Sequence, residues 1–124
     1  MTHTVLVVED EQDLREMIRD ALELGGYAVV TATDGQDALD KLPDIKRLCL
    51  VILDLLMPVM NGWDFLDRMR ERSDLKSVPV VVHSSATSEA PAGVTRVLQK
   101  PLMFDRLLSV VGEHCAPTPR SPRP

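Results

Sequence analysis

Apolar residues along this chain of 124 residues fall into two alternating kinds of run. One kind is short, continuous and rich in β-branched residues: residues 5–8 (VLVV), 27–31 (YAVVT), 48–53 (LCLVIL), 78–82 (VPVVV) and 94–98 (VTRVL). Apolar runs without polar alternation predict strands covered on both faces, as in a parallel sheet. The other kind is spaced. Leu14, Met17, Ile18, Ala21 and Leu22 fall at i, i+3, i+4, i+7 and i+8, one face of a helix that Gly25 and Gly26 end. A turn at Asp34 and Gly35 precedes a shorter stripe of Ala38, Leu39 and Leu42, closed by Pro43. Phe65, Leu66 and Met69 form a third stripe after Gly62, with Asp64, Asp67, Arg68, Glu71 and Arg72 outside. Phe104, Leu107, Leu108 and Val111 form the last.

The order is strand–helix three times, then two strands and a helix. Strands alternating with helices predict right-handed crossovers and an α/β fold with a doubly wound, five-stranded parallel sheet. Residues 86–93 (ATSEAPAG), before the fifth strand, contain Pro91 and Gly93. They predict a single turn or an irregular loop, so the fourth covering helix is expected to be shortened or missing. Residues 116–124 hold four of the nine prolines and read as a disordered tail, leaving residues 1–115 as one folded domain.

Composition narrows the function. Nineteen acidic against fourteen basic residues give a net charge of −5, a poor footing for gripping a nucleic-acid backbone. An apolar fraction of 44% suffices for a core. No run reaches the roughly 18 apolar residues of a membrane span, and the N-terminus turns acidic before a signal-peptide pattern forms. Two cysteines are too few for a disulfide framework. Cys49 is expected as a small buried apolar residue and Cys115 as an incidental thiol. These features predict a soluble, cytoplasmic, single-domain protein.

In open α/β sheets, ligands bind beyond the carboxyl ends of the strands. Glu9, Asp10 and Glu11 follow the first strand and Asp54 ends the third. His83, Ser84 and Ser85 follow the fourth, and Gln99, Lys100 and Pro101 end the fifth. Converging carboxylates repel one another unless a hard cation neutralises them, and Mg²⁺ takes oxygen ligands of this kind. A magnesium ion beside a carboxylate, a lysine and a hydroxyl suits phosphoryl transfer onto the carboxylate oxygen. Glu9, Asp10, Asp54 and Lys100 together carry −2 of the −5, so part of the acidity is local. His83 is expected as a strand residue rather than a ligand, and Trp63 as packing on or capping the third helix.

Residues 7–11 (VVEDE), 54–62 (DLLMPVMNG), Ser84, and Lys100 with Pro101 carry a resemblance. In this order, each at a strand end, they make residues 4–113 similar to a receiver domain of a two-component response regulator. The resemblance implies a flavodoxin-like sheet of strand order 2-1-3-4-5. It implies that Asp54 accepts a phosphoryl group from a phosphohistidine of a sensor histidine kinase or a phosphotransfer protein. Asp10 would ligate Mg²⁺ directly, Glu9 directly or through water, with Asp54 and the backbone carbonyl of Leu56 completing the protein ligands. Ser84 (or Ser85) would hydrogen-bond the phosphoryl group and Lys100 would pair with it. Pro58 and Gly62 would shape the loop after strand three, and a cis bond before Pro101 would aim Lys100 inward.

Two departures from the family pattern bear on output, and two side chains bear on the lifetime of the phosphorylated state. Val97 stands where the family keeps an aromatic switch residue, so signalling by an inward-turning ring is not expected. The short 86–93 segment removes much of the family's usual output face. Leu56 and Ala86 cannot orient a hydrolytic water by hydrogen bonding, so autodephosphorylation is expected to be slow. The implied function is a switch, stand-alone or excised from a longer protein, that catalyses only its own phosphorylation and dephosphorylation and signals to a downstream protein by contact. Two other readings compete. One is a non-phosphorylated binding module. The other is a flavodoxin-like electron carrier, which would need a Ser/Thr/Gly-rich phosphate loop where Glu9, Asp10 and Glu11 stand.

Overall fold

The computed structural model describes residues 3–54, 62–75, 77–84, 94, 96–99 and 103–115. Strands β1 (Thr4–Val8), β2 (Ala28–Ala32), β3 (Leu48–Asp54), β4 (Val80–Ser84) and β5 (Arg96–Gln99) form one sheet in the order β2-β1-β3-β4-β5. Every pairing is parallel. Helices α1 (Gln12–Leu24), α2 (Gly35–Lys41), α3 (Gly62–Arg70) and α4 (Phe104–His114) connect or follow the strands. The predicted α/β class and parallel, doubly wound sheet are therefore observed. The expectation of a shortened or missing helix concerns residues 86–93, which lie outside the described residues, as do residues 116–124.

Alternation along the strands explains the continuous apolar runs. Leu6, Val8, Val51, Leu53, Val80 and Val82 point into one core layer, with Ala38 of α2 and Phe65, Leu66 and Met69 of α3. Val5, Val7, Leu50, Ile52 and Val81 point into the other, with Ile18 and Leu22 of α1 and Leu107, Val110 and Val111 of α4. Both faces are dry, so both parities must be apolar. The first helical stripe is narrower than its spacing predicts. Ile18 and Leu22 are buried, but Met17 is 51% exposed. Met17 sits at the rim of the layer rather than within it.

Helix ends follow local chemistry. Gly25 caps α1 with its N–H on Ala21 O, and Gly26 takes φ 94°, a left-handed turn that glycine adopts without a Cβ clash. At α2 the Asp34 side chain accepts a hydrogen bond from Asp37 N at 2.8 Å. The Asp37 carboxylate reaches back to Thr33 N at 2.9 Å, satisfying another amide at that end of the helix. Strand β4 begins at Val80, just after Pro79, whose carbonyl still accepts from Val51 N at 3.1 Å. A proline has no N–H for the sheet, so it serves as the strand's threshold.

The cysteines depart from expectation. Cys49, near the start of β3, and Cys115, the C-cap residue of α4, form a disulfide with Cα atoms 5.5 Å apart. Cys115 is therefore not an incidental thiol, and it is only 5% exposed. The residues are 66 apart in sequence. Packing of α4 on the sheet brings them together, which local spacing does not reveal.

Candidate functional site

Parallel pairing places the ends of β1 and β3 side by side, with Val8 opposite Leu53. The residues just beyond, Glu9 and Asp10, and the last residue of β3, Asp54, converge there. Each offers a carboxylate oxygen, and these oxygens all lie within 4.8 Å of one another. Glu9 is fully buried and Asp54 only 4% exposed, while Asp10 is exposed. The cluster thus has two oxygen donors in the protein and a third at the surface.

Strand alternation accounts for the inward carboxylates. Glu9, Asp54 and His83 stand two residues beyond Val7, Ile52 and Val81, all members of the core layer beneath α1 and α4. They continue that parity at the carboxyl edge, where the apolar pattern stops.

The loop holding Glu9 is tied down by several donors. Glu9 N donates to Ala32 O at 3.0 Å, joining the loop to the end of β2. Arg15 of α1 donates through Nη1 to Glu9 O at 2.9 Å and to Asp10 O at 3.4 Å. Glu11 N donates to Glu9 Oε2 at 3.0 Å. On the other oxygen, His83 Nε2 stands 3.4 Å from Glu9 Oε1, and both side chains are wholly buried. His83 is the lateral partner of Asp54 in the β3–β4 ladder.

Three negative charges at this separation repel, and two of them are shielded from water. A hard cation relieves the repulsion, and an all-oxygen donor set fits Mg²⁺, Mn²⁺ or Ca²⁺ better than a soft metal. Opposite ligands of an octahedral Mg²⁺ lie about 4.0–4.2 Å apart, twice the metal–oxygen distance, so oxygens within 4.8 Å of one another are at most about 0.6–0.8 Å wider than the span of such an ion. His83 touches Glu9 but is not one of the three clustered groups, in line with its reading as a strand residue.

The remaining predicted residues are less fully placed. Ser84 closes β4, and Gly62 is the buried first residue of α3. Ser85, Leu56, Pro58, Lys100 and Pro101 lie outside the described residues. Trp63 is 40% exposed on the first turn of α3, more open than a packing role predicts. Sequence reasoning missed the Glu9–His83 contact. Its signal was a lone histidine ending the all-valine run of β4, level with Asp54.

Comparison with known proteins points the same way. The family model described as the response regulator receiver domain matches residues 5–112. The response regulator MprA of Mycolicibacterium vanbaalenii is 33% identical over 109 residues, covering 85% of this chain and 47% of that protein. The chain therefore spans about half the length of such curated relatives. Among solved structures, the chemotaxis protein CheY4 of Vibrio cholerae superposes with a TM-score of 0.83 at 32% identity, covering 92% of this chain and 99% of that one. The response regulator TrrA of Thermotoga maritima, solved in complex with Mg²⁺ and BeF, gives a TM-score of 0.79 at 27% identity, covering 90% of this chain and 98% of that one.

Proposed function

Because the chain belongs to the response regulator receiver domain family, we propose that it is a phosphoacceptor signalling switch working through Asp54. The observation that carries this reading is the convergence of Glu9, Asp10 and Asp54 at the carboxyl edge of the central strands, oxygens within 4.8 Å. The complex of TrrA with Mg²⁺ and BeF supports the same choice of cation.

In this reading an Asp54 carboxylate oxygen attacks the phosphorus of a phosphohistidine on a sensor histidine kinase or phosphotransfer protein. A P–O bond forms, the P–N bond breaks, and the imidazole leaves with the bond's electron pair and takes up a proton. Glu9 and Asp10 would hold the cation with Asp54, and the family resemblance adds the Leu56 carbonyl. Bound Mg²⁺ supplies charge neutralisation for the carboxylates and the equatorial phosphoryl oxygens. Ser84 donates a hydrogen bond to the phosphoryl group and Lys100 pairs with its charge. Burial of Glu9 and Asp54 lowers the local dielectric and strengthens these attractions.

The switch turns over no metabolite and signals by contact with a downstream protein in the cytoplasm. Residues 1–115 serve as the receiver unit and residues 116–124 as a proline-rich tail. Among the described residues no helix is long and apolar enough to cross a membrane.

Incubation with radiolabelled acetyl phosphate tests the reading. Mg²⁺-dependent label is expected on the unaltered chain and is abolished by EDTA and by Asp54→Asn. Label that persists in Asp54→Asn overturns the assignment of the acceptor. An unaltered chain that takes no label from any phosphodonor is instead a receiver-like binding module.

A further inference from the structure

Strict alternation along β3 would turn Cys49 away from Cys115. Leu50 and Ile52 pack in the layer of α1 and α4, and Val51 and Leu53 in the layer of α2 and α3. Alternation assigns Cys49 to the side of Val51 and Leu53. It packs instead in the layer of α1 and α4, beside Leu50, and Leu48 takes the opposite one. The cause lies in the ladder. Thr4 of β1 pairs with Leu48 and Val5 with Leu50, so Cys49 is an extra residue in the register. A bulge of this kind re-aims one side chain. Just ahead of the strand, Arg47 holds φ 59°, a left-handed backbone that is costly for a residue with a Cβ. The entry to β3 thus leaves regular geometry at two places, and the bulge turns a sulfur toward Cys115.

The covalent bond is not what seats α4. Leu107, Val110 and Val111 are buried in the layer by packing. The bond acts at one point, the C-cap of the helix. Reduced sulfurs are also provided for. Both cysteines belong to the apolar layer, and Cys49 Sγ stands 3.4 Å from Thr4 O. A disulfide sulfur has no hydrogen to give that carbonyl, whereas a thiol has one. Cys115 is 5% exposed and Cys49 half-buried, so Cys49 is the more open of the two.

We propose that Cys49 and Cys115 form a reversible thiol–disulfide switch on the end of α4, reset by a dithiol reductant. A thiolate of the dithiol attacks Cys49 Sγ, the S–S bond breaks, and Cys115 leaves as a thiolate and takes up a proton. The reductant's second thiolate then attacks the reductant's own sulfur in the mixed disulfide. Cys49 is released and also takes up a proton. Two electrons pass to the pair, and the dithiol ends as its disulfide. The packed position of α4 is the same in both states. The difference lies in opening of the last turn. In the oxidised chain Cys115 cannot leave β3. In the reduced chain residues 112–115 open without the rest of the fold and uncover Tyr27, whose hydroxyl lies beside Gly112.

The test uses the full chain, with dithiothreitol and its cyclic disulfide as the probe couple. Thiol counts in native buffer are expected to rise to two and return to zero as the couple is exchanged. The reduction rate is expected to grow with dithiothreitol and to ignore urea below the unfolding transition. A rate independent of dithiothreitol and set by unfolding makes the bond a closed staple and overturns the switch. Relaxation dispersion of ¹⁵N amides then reads the opening. Residues 112–115 of the reduced chain are expected to be open about a few per cent of the time, roughly tenfold or more above the oxidised chain, with α3 flat in both. Equal dispersion in the two states overturns the release of α4. A chain carrying both Cys49→Ala and Cys115→Ala is expected to open as the reduced chain does in either buffer, and one that stays closed overturns the role of the bond. The measurements on the unaltered chain need no variant to fold.

Discussion

Reducing the Cys49–Cys115 disulfide is expected to cost a large share of the stability while sparing the cluster of Glu9, Asp10 and Asp54. The bridge closes a loop of 66 residues. Loop closure removes about 2.1 + 1.5R ln n cal/mol/K from the denatured chain, so at 25 °C the bridge stabilises by about 4.3 kcal/mol. Typical domains have only about 5–15 kcal/mol in all. With about 2.1 cal/mol/K of unfolding entropy per residue, that loss lowers the Tm of roughly 115 folded residues by about 18 °C. The effect lies in the unfolded ensemble, so the native near-ultraviolet circular dichroism should hardly change. Cys49 is the second residue of the strand that Asp54 ends, about 16 Å away at 3.3 Å per residue. Acetyl-phosphate labelling should therefore stay within about twofold at a temperature where both forms are folded. The assay is urea unfolding with and without a phosphine reductant, with a thiol count at each end. A stability change below about 1 kcal/mol, once two thiols are counted, refutes the closure argument. Two thiols in air-oxidised, untreated protein refute the pairing itself. In a reducing compartment the pair would stand as dithiols, and the lower stability would be the working one.

Other expectations concern the helices. Burial raises the Asp37 pKa, but the Thr33 N–H and the neighbouring Lys41 outweigh it and hold the group below its ordinary 3.8. A depressed carboxylate stabilises the fold above its unfolded pKa and loses that contribution as pH falls through its folded value. Asp37→Asn should thus cost roughly 0.5–1 kcal/mol at pH 7, with the gap closing below about pH 3.8. Urea titrations from pH 7 downward read it, and a gap that does not vary with pH contradicts the assignment. Phe65, wholly buried between α3 and the sheet, should cost about 3–5 kcal/mol on replacement by alanine, seen as a fall in urea midpoint. A loss under 1 kcal/mol would show that the layer collapses into the vacated space.

Much of this molecule was legible without coordinates because its signals are local. A valine-rich run reports a two-faced strand, a 3.6-residue spacing reports a helix, and an acid after a strand reports a position at the carboxyl edge. Glu9, Asp10 and Asp54 could be named that way. The convergence of their oxygens within 4.8 Å needed the parallel register of β1 and β3. Met17 fits the helical period yet is 51% exposed, since periodicity gives a direction around a helix but not the width of the surface it meets.

The order of strands and helices, the two dry sheet faces and the acids at the strand ends follow from local patterns, all set by neighbours a few residues away. It is the packed fold that brings Cys49 to Cys115 across 66 residues and His83 to within 3.4 Å of Glu9. Those pairs join segments far apart in the chain. Their closeness depends on how helices dock and strands register, which is a property of the whole packed core.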